Sequence, residues 1–300
     1  MTDDIAAVAA TIPALAGYSG TPQRLGGLTN RVWRLGPHVL RIPGEGTAAY
    51  IDRANEAVAA REAARAGVGP EVLFADPDRG LMVTSFIEGT VTMTPEGFAA
   101  RPGAPARAAQ AFRKLHQSGA RFPFRFELFA MIDDYLRHLA GTDVALPEGY
   151  HDVVAEAGGA VRATLSAAPV EPVACHCDPL CENFLDDGRR MWIVDWEYSG
   201  MNDPMWDLGD LAVEGRFGAA QEEEMLTAYF GGEAPAADRG RMVIYKAMCD
   251  LLWTLWGLIQ LANANPADDF RAYADGRFAR CKALMAEPDF ARHLQAAARG

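Results

Sequence analysis

Three oxygen-bearing side chains stand close together in the chain: Asp178 and Asn183 in HCDPLCENF, residues 176–184, and Asp195 in MWIVDWEY, residues 191–198. His176 precedes Asp178 by two positions, and Asn183 follows it by five. An Asp-Asp-Gly turn signal at residues 186–188 separates the runs Asn183–Leu185 and Met191–Asp195, which predicts a hairpin that folds Asp195 back beside Asn183. A carboxylate near an acceptor hydroxyl, with oxygen ligands for magnesium alongside, is the equipment of phosphoryl transfer, where catalysis is mostly positioning and charge neutralisation. Two other readings compete. The acids could be structural, or Cys175, His176, Cys177 and Cys181 could hold zinc. Against zinc, adjacent residues of an extended chain point to opposite sides, and no second CxxC or CxxH pair closes a tetrahedral site.

HxDxxxxN followed by DWEY resembles the aminoglycoside phosphotransferase and choline kinase family, and IVDWEYSGMNDPMWDL is most similar to bacterial LicA-like choline kinases. The resemblance implies an α+β, protein-kinase-like two-lobed fold, with ATP and Mg2+ as cofactors. Its nucleotide-binding lobe, small and β-rich, would span residues 1–88, and its large, mainly α-helical catalytic and substrate-binding lobe residues 89–300. It makes Asp178 the catalytic base, Asn183 and Asp195 the metal ligands, and His176 a brace for the loop. Pro179 departs from the family, where Leu is more usual; it fixes the local backbone but removes no ligand.

A kinase also needs a cation on the phosphates, usually a Lys held by a helix Glu. The first Lys of this chain is Lys114, so the cation must be an Arg. The resemblance assigns Arg41 in VLRIPG to that task, with Glu56 as its partner; Arg grips phosphate oxygens in bidentate fashion. The plainer alternative is a strand-edge Arg and a solvated helix Glu. LGGLTNRVWRL, residues 25–35, is similar to the family's short phosphate loop: Gly26 and Gly27 let the backbone approach, and Thr29 and Asn30 offer hydrogen bonds. Taken alone, Gly-Gly between strands is an ordinary turn. Residues 83–89 resemble the connector that meets adenine. GEGTAA, residues 44–49, lacks the third Gly of a dinucleotide fingerprint, and neither GxxxxGK[ST] nor GxSxG occurs.

For the acceptor, CDLLWTLWGLIQ places Trp253 and Trp256 on one helix face, and FRAYADGRF adds Tyr273. Aromatic faces attract quaternary ammonium groups, although a Trp- and Leu-rich helix also suits a plain core. Choline kinases carry a Trp-x-x-Trp helix and a nearby Tyr at matching places, and the resemblance puts Glu214 beside the ammonium. The implied acceptor is choline or a related amino alcohol, with ethanolamine, thiamine, an aminoglycoside or an inactive binding module as alternatives. Trp206, Trp196 and Tyr198 are expected in packing, Asp207 in bracing the catalytic loop, and Glu197 near the metal.

These groups need a scaffold. WRLGPHVLRIPG predicts strands at Arg31–Leu35 and Val39–Ile42, residues 48–66 a helix stopped by Gly67, and EVLFADPDRGLMVTSFIEG two more strands about a turn. About five strands and one helix thus form the N-terminal part. Beyond Gly89 helices dominate, among them Pro105–Gln117 and Asp133–Ala140, with the one short strand pair already noted and a loop at 101–107. A net charge of −12 argues against nucleic acid as a partner. Five cysteines, an odd number, fit a reducing compartment. With no basic, apolar leader and no long apolar stretch, a cytoplasmic protein outside the membrane is expected.

Overall fold

The computed structural model describes residues 2–27, 30–44, 47 and 51–300. Its N-terminal part is an antiparallel sheet in the order β1-β2-β3-β5-β4. The strands are β1 (Gln23–Gly26), β2 (Arg31–Leu35), β3 (His38–Ile42), β4 (Val72–Asp76) and β5 (Leu81–Ser85). Alternation along these strands sorts the side chains between two faces. Leu35, Leu40, Ile42, Leu81 and Val83 face one way and pack with Ile5, Ile12 and Leu15 of the N-terminal segment, whose helix α1 (Thr2–Ala10) was not anticipated. Arg41, between two of those apolar residues, faces the other way, opposite Met82 in register.

Helix α2 (Arg53–Arg65) starts where Asp52 caps it, accepting from the backbone N–H groups of Ala54 and Asn55. The cap explains why the helix begins later than 48–66 implies; residues 48–50 lie outside the described residues. The turn between β4 and β5 closes with Asp76 accepting from Arg79 N at 3.1 Å.

The C-terminal part is helical. After β6 (Val91–Thr92) and α3 (Pro95–Ala100) come α4 (Ala104–His116), α5 (Leu128–Leu139) and α6 (Tyr150–Ala167). Helix α4 begins inside the expected loop at 101–107: Gly103 takes a left-handed turn with φ 75°, and Pro105 sits in the first turn, where its missing N–H costs nothing. Next follow β7 (Val173–Cys175), β8 (Phe184–Asp186), β9 (Met191–Ile193) and β10 (Gly200–Asn202), then α7 (Pro204–Glu214), α8 (Ala219–Phe230), α9 (Ala236–Ala262), α10 (Phe270–Met285) and α11 (Phe290–Ala297). The expected hairpin is β8-β9. It gains β6 as a third strand, and β7 pairs with β10, so one strand pair was too few. Strands of two or three residues are too short to show a period in sequence.

Helix α9 is long and apolar enough to cross a membrane, yet 83% of its most apolar window is buried within the protein. It is the central strut, against which α5, α7, α10 and α11 pack. The two parts are joined by buried polar bonds: Asn55 Nδ2 donates to Ser199 O at 2.8 Å, Phe124 N to Asn55 Oδ1 at 3.0 Å, and Ile193 N to Val68 O at 2.7 Å.

Candidate active site

The chain runs from β7 through His176 and Cys177 to Asp178 on a bent backbone, with Cys177 in the left-handed region at φ 68°. That conformation costs a non-glycine residue about 1–2 kcal/mol, so surrounding bonds must impose it. Asp207, fully buried, supplies them: Oδ1 accepts from Cys177 N and Oδ2 from His176 N, each at 2.8 Å. His116 Nε2 lies 3.0 Å from the same Oδ2, and its Nδ1 lies 2.9 Å from the Tyr229 hydroxyl. Trp206 Nε1 donates to Cys177 O at 3.1 Å. Asp207 thus braces the loop and Trp206 packs under it. His176 Nε2 lies 2.9 Å from Val194 O; burial holds its imidazole below the usual range, so it ties two segments together in neutral form.

Beyond that loop, a short 3-10 helix (Cys181–Asn183) delivers Asn183. Phe184 pairs with Ile193, and Val194 N donates to Asn183 O at 2.9 Å, which sets Asp195 next to Asn183. Asn183 Nδ2 donates to the Asp178 carbonyl at 3.0 Å. The three predicted oxygen donors are therefore brought together. Asp195 is also left-handed, at φ 65°, and its Oδ1 is buried with no hydrogen-bond partner. Burial, then the Glu197 and Glu56 carboxylates, push Asp195 up to about 8 against the pull of Arg41 and Arg53. Burial, with Asp210, Asp195, Glu214 and Glu197, likewise raises Asp178 well above the carboxylate range.

Oxygen atoms of Glu56, Asp195 and Glu197 lie within 4.8 Å of one another. A hard-oxygen set with an unpartnered carboxylate atom fits magnesium, which Asp195 would hold with Asn183 or Glu197. The thiols do not fit zinc. Cys175 Sγ faces the Asn202 and Asp203 carbonyls at 3.6 and 3.7 Å, Cys177 Sγ faces Gly200 O at 4.0 Å, and burial raises both thiols well above their usual range. Among the described residues, the ligand atoms of Cys175, His176, Cys177 and Cys181 do not gather within 4.8 Å of one another, as a tetrahedral zinc site would require.

The alternative of a solvated pair at Arg41 fails. Arg41 Nη2 donates to Glu56 Oε2 at 2.8 Å, and the two residues are 9% and 2% exposed. A second cation, Arg53, was missed. Its Nη1 reaches Glu56 at 2.9 Å and Glu197 at 3.0 Å, and its Nη2 reaches Thr47 Oγ1 at 2.8 Å. The signal available was its place one turn before Glu56. Asn30 Nδ2 donates to Glu197 Oε2 at 2.9 Å, bringing the phosphate-loop candidate to the metal cluster. Thr29 lies outside the described residues. Gly26 and Gly27 have φ 146° and 105°, and a Cβ on Gly27 would fall 2.1 Å from Asn30 O, so that turn admits only glycine.

The aromatic residues do assemble. Trp253 meets Tyr198 edge to face with centroids 5.4 Å apart, and Trp256 meets Tyr273 and Phe270, each at 5.7 Å. Trp256 Nε1 donates to the Tyr198 hydroxyl at 2.9 Å, which gives Tyr198 more than a packing role. Trp253 is 3% exposed and donates from Nε1 to Asp210 Oδ2 at 3.1 Å. Asp210 was missed although it stands one turn before Glu214 on α7. Glu214 carries an ion pair with Arg277 that sequence could not reveal.

Residues 21–245 match the phosphotransferase enzyme family. The whole chain superposes on the structure of a choline/ethanolamine kinase family protein from Mesorhizobium loti, with 70% identity, 100% of both chains covered and a TM-score of 0.92. LicA from Haemophilus influenzae is 25% identical over 241 residues, which cover 77% of this chain and 88% of that protein. A LicA structure in complex with AMP, 24% identical, shares the fold at a TM-score of 0.77 over 94% of this chain and 97% of that one.

Proposed function

The chain belongs to the phosphotransferase enzyme family, and to the choline/ethanolamine kinase family within it, and on that premise we propose that it transfers the γ-phosphoryl group of ATP to the hydroxyl of choline or a closely related amino alcohol. The observation that carries this reading is the placement of Tyr198. It follows Asp195 by three residues and accepts a hydrogen bond from Trp256, so the proposed metal ligand and the aromatic cluster share one segment.

In this reading residues 1–88 bind the nucleotide and residues 89–300 supply the catalytic and acceptor groups. Gly26, Gly27, Thr29 and Asn30 receive the phosphates, and Arg41 and Arg53 offset their charge. Asn183 and Asp195 would hold magnesium, which would neutralise the phosphates. Asp178 orients the acceptor hydroxyl and takes its proton, its carboxyl raised by burial and neighbouring acids. Trp253, Trp256, Tyr198 and Tyr273 offer aromatic faces to the ammonium group, and Glu214 adds negative charge. Five buried free thiols support a cytoplasmic setting.

The test is ATP consumption by purified protein with choline, ethanolamine, thiamine and kanamycin side by side. Choline is expected to give the highest kcat/KM, and Asp178→Asn to lower it by about 10²–10⁴-fold while Mg-ATP still binds. Turnover of kanamycin alone, or undiminished turnover by Asp178→Asn, would refute the reading.

A further inference from the structure

Arg277, on α10, is 3% exposed and touches the acceptor region on three sides. One guanidinium nitrogen pairs with Glu214 and the other with Asp250 Oδ1 at 3.1 Å. Its Cζ lies 4.7 Å from the centre of the Tyr273 ring. Asp250 is shared with Arg280, whose Nη2 donates to it at 2.6 Å. The guanidinium is therefore clamped from both ends, and it engages one oxygen of Glu214 and one face of Tyr273, groups that an incoming ammonium would have to share with it. This bears on which ammonium the site prefers. A primary ammonium has three N–H donors, each needing an acceptor once out of water. A trimethylammonium has none and is satisfied by aromatic faces.

We propose that Arg277 sets amine selectivity: by engaging one oxygen of Glu214 it weakens the acceptor that a primary ammonium would use, leaving the faces of Trp253, Trp256 and Tyr198 to favour a quaternary one. The inference rests on the amino alcohol kinase reading above. Arg277 does not touch the reacting atoms in it and acts through Glu214, as a positioning residue.

The experiment is the ratio of kcat/KM for choline to that for ethanolamine in the wild type, Arg277→Gln, Arg277→Lys and Glu214→Gln, with the rise in Tm on adding Mg-ATP as the check of an intact nucleotide site. Arg277→Gln releases Glu214 and is expected to lower the ratio about tenfold, chiefly through a lower KM for ethanolamine, the size of one charged hydrogen bond gained. Arg277→Lys, a point cation that cannot span both acids, should fall between. Equal losses for both amines, with the Mg-ATP response kept, would mean that Arg277 only supports the fold and would overturn the proposal. If Arg277→Gln does not fold, Glu214→Gln decides. A carboxylate engaged by Arg277 predicts a ratio within about twofold of wild type, whereas selective loss of ethanolamine turnover by about tenfold would show direct contact and overturn it. A wild type that phosphorylates neither amine defeats the functional reading and the proposal with it; a wild type active on both, with an immovable ratio, defeats the proposal alone.

Discussion

Asp195 is held in a conformation and a charge environment that it would not choose unaided. Its backbone is left-handed, its Oδ1 has no partner, and two acids crowd it. A carboxyl raised to about 8 keeps its proton where the unfolded chain has already lost one. Between about pH 4 and 8 folding therefore takes up a proton at this site, and its contribution to the stability of metal-free protein falls as pH rises. A divalent cation reverses the balance, because it binds the ionised carboxylate and expels the proton. Magnesium affinity in the absence of nucleotide should rise about tenfold per pH unit from 6 toward 8 and then level off. Manganese binding followed by electron paramagnetic resonance at several pH values measures the slope. Asp195→Asn should weaken binding and flatten the profile; an unchanged slope in that variant would remove Asp195 from the metal set.

At the scale of the element, the loop that presents Asp178 depends on α7. Asp207 accepts two loop N–H bonds at 2.8 Å and so offsets the strain at Cys177. Asp207→Ala leaves buried donors unpaired and should cost on the order of 3 kcal/mol in urea unfolding, with kcat lowered far more than the KM for ATP. Asp207→Asn, which keeps one acceptor oxygen, should lose less. The catalytic loop and its hairpin were legible because their chemistry is written within one short segment, where spacing and turn residues fix geometry. Arg41 with Glu56 was legible only through the family pattern, since a strand Arg and a helix Glu announce no pairing. Arg277 and Glu214, 63 positions apart, meet only because α10 packs beside α7 on α9, a tertiary fact with no local signature. The pair β7-β10 was hidden for the same reason. The Trp253 and Trp256 helix had two meanings in sequence, core and cage: Trp253 is buried in the core, while Trp256 is partly exposed and carries the proposed cage.

Across the whole molecule, polar bonds tie the two parts together. On the proposed function, Mg-ATP would bind where Arg41 and Arg53 from one part face Asp195 and Glu197 from the other, so it should stabilise the folded chain by about 2.7 kcal/mol at a hundred times its Kd. Asn55 joins the two parts directly. It is 3% exposed, and its single amide satisfies the Ser199 carbonyl and the Phe124 N–H, both in the C-terminal part. Asn55→Ala would leave two buried backbone groups unpaired, at a cost of about 2–4 kcal/mol. Asn55→Asp keeps the acceptor for Phe124 N but sets a carboxylate against the Ser199 carbonyl, and should be no better. Because Asn55 sets how the two parts meet, Asn55→Ala should also raise the KM for ATP several-fold without abolishing turnover at saturation. Thermal melts with and without Mg-ATP, read beside steady-state kinetics, test both parts. Wild-type stability in Asn55→Ala would show that Asn55 contributes no net bond between the two parts.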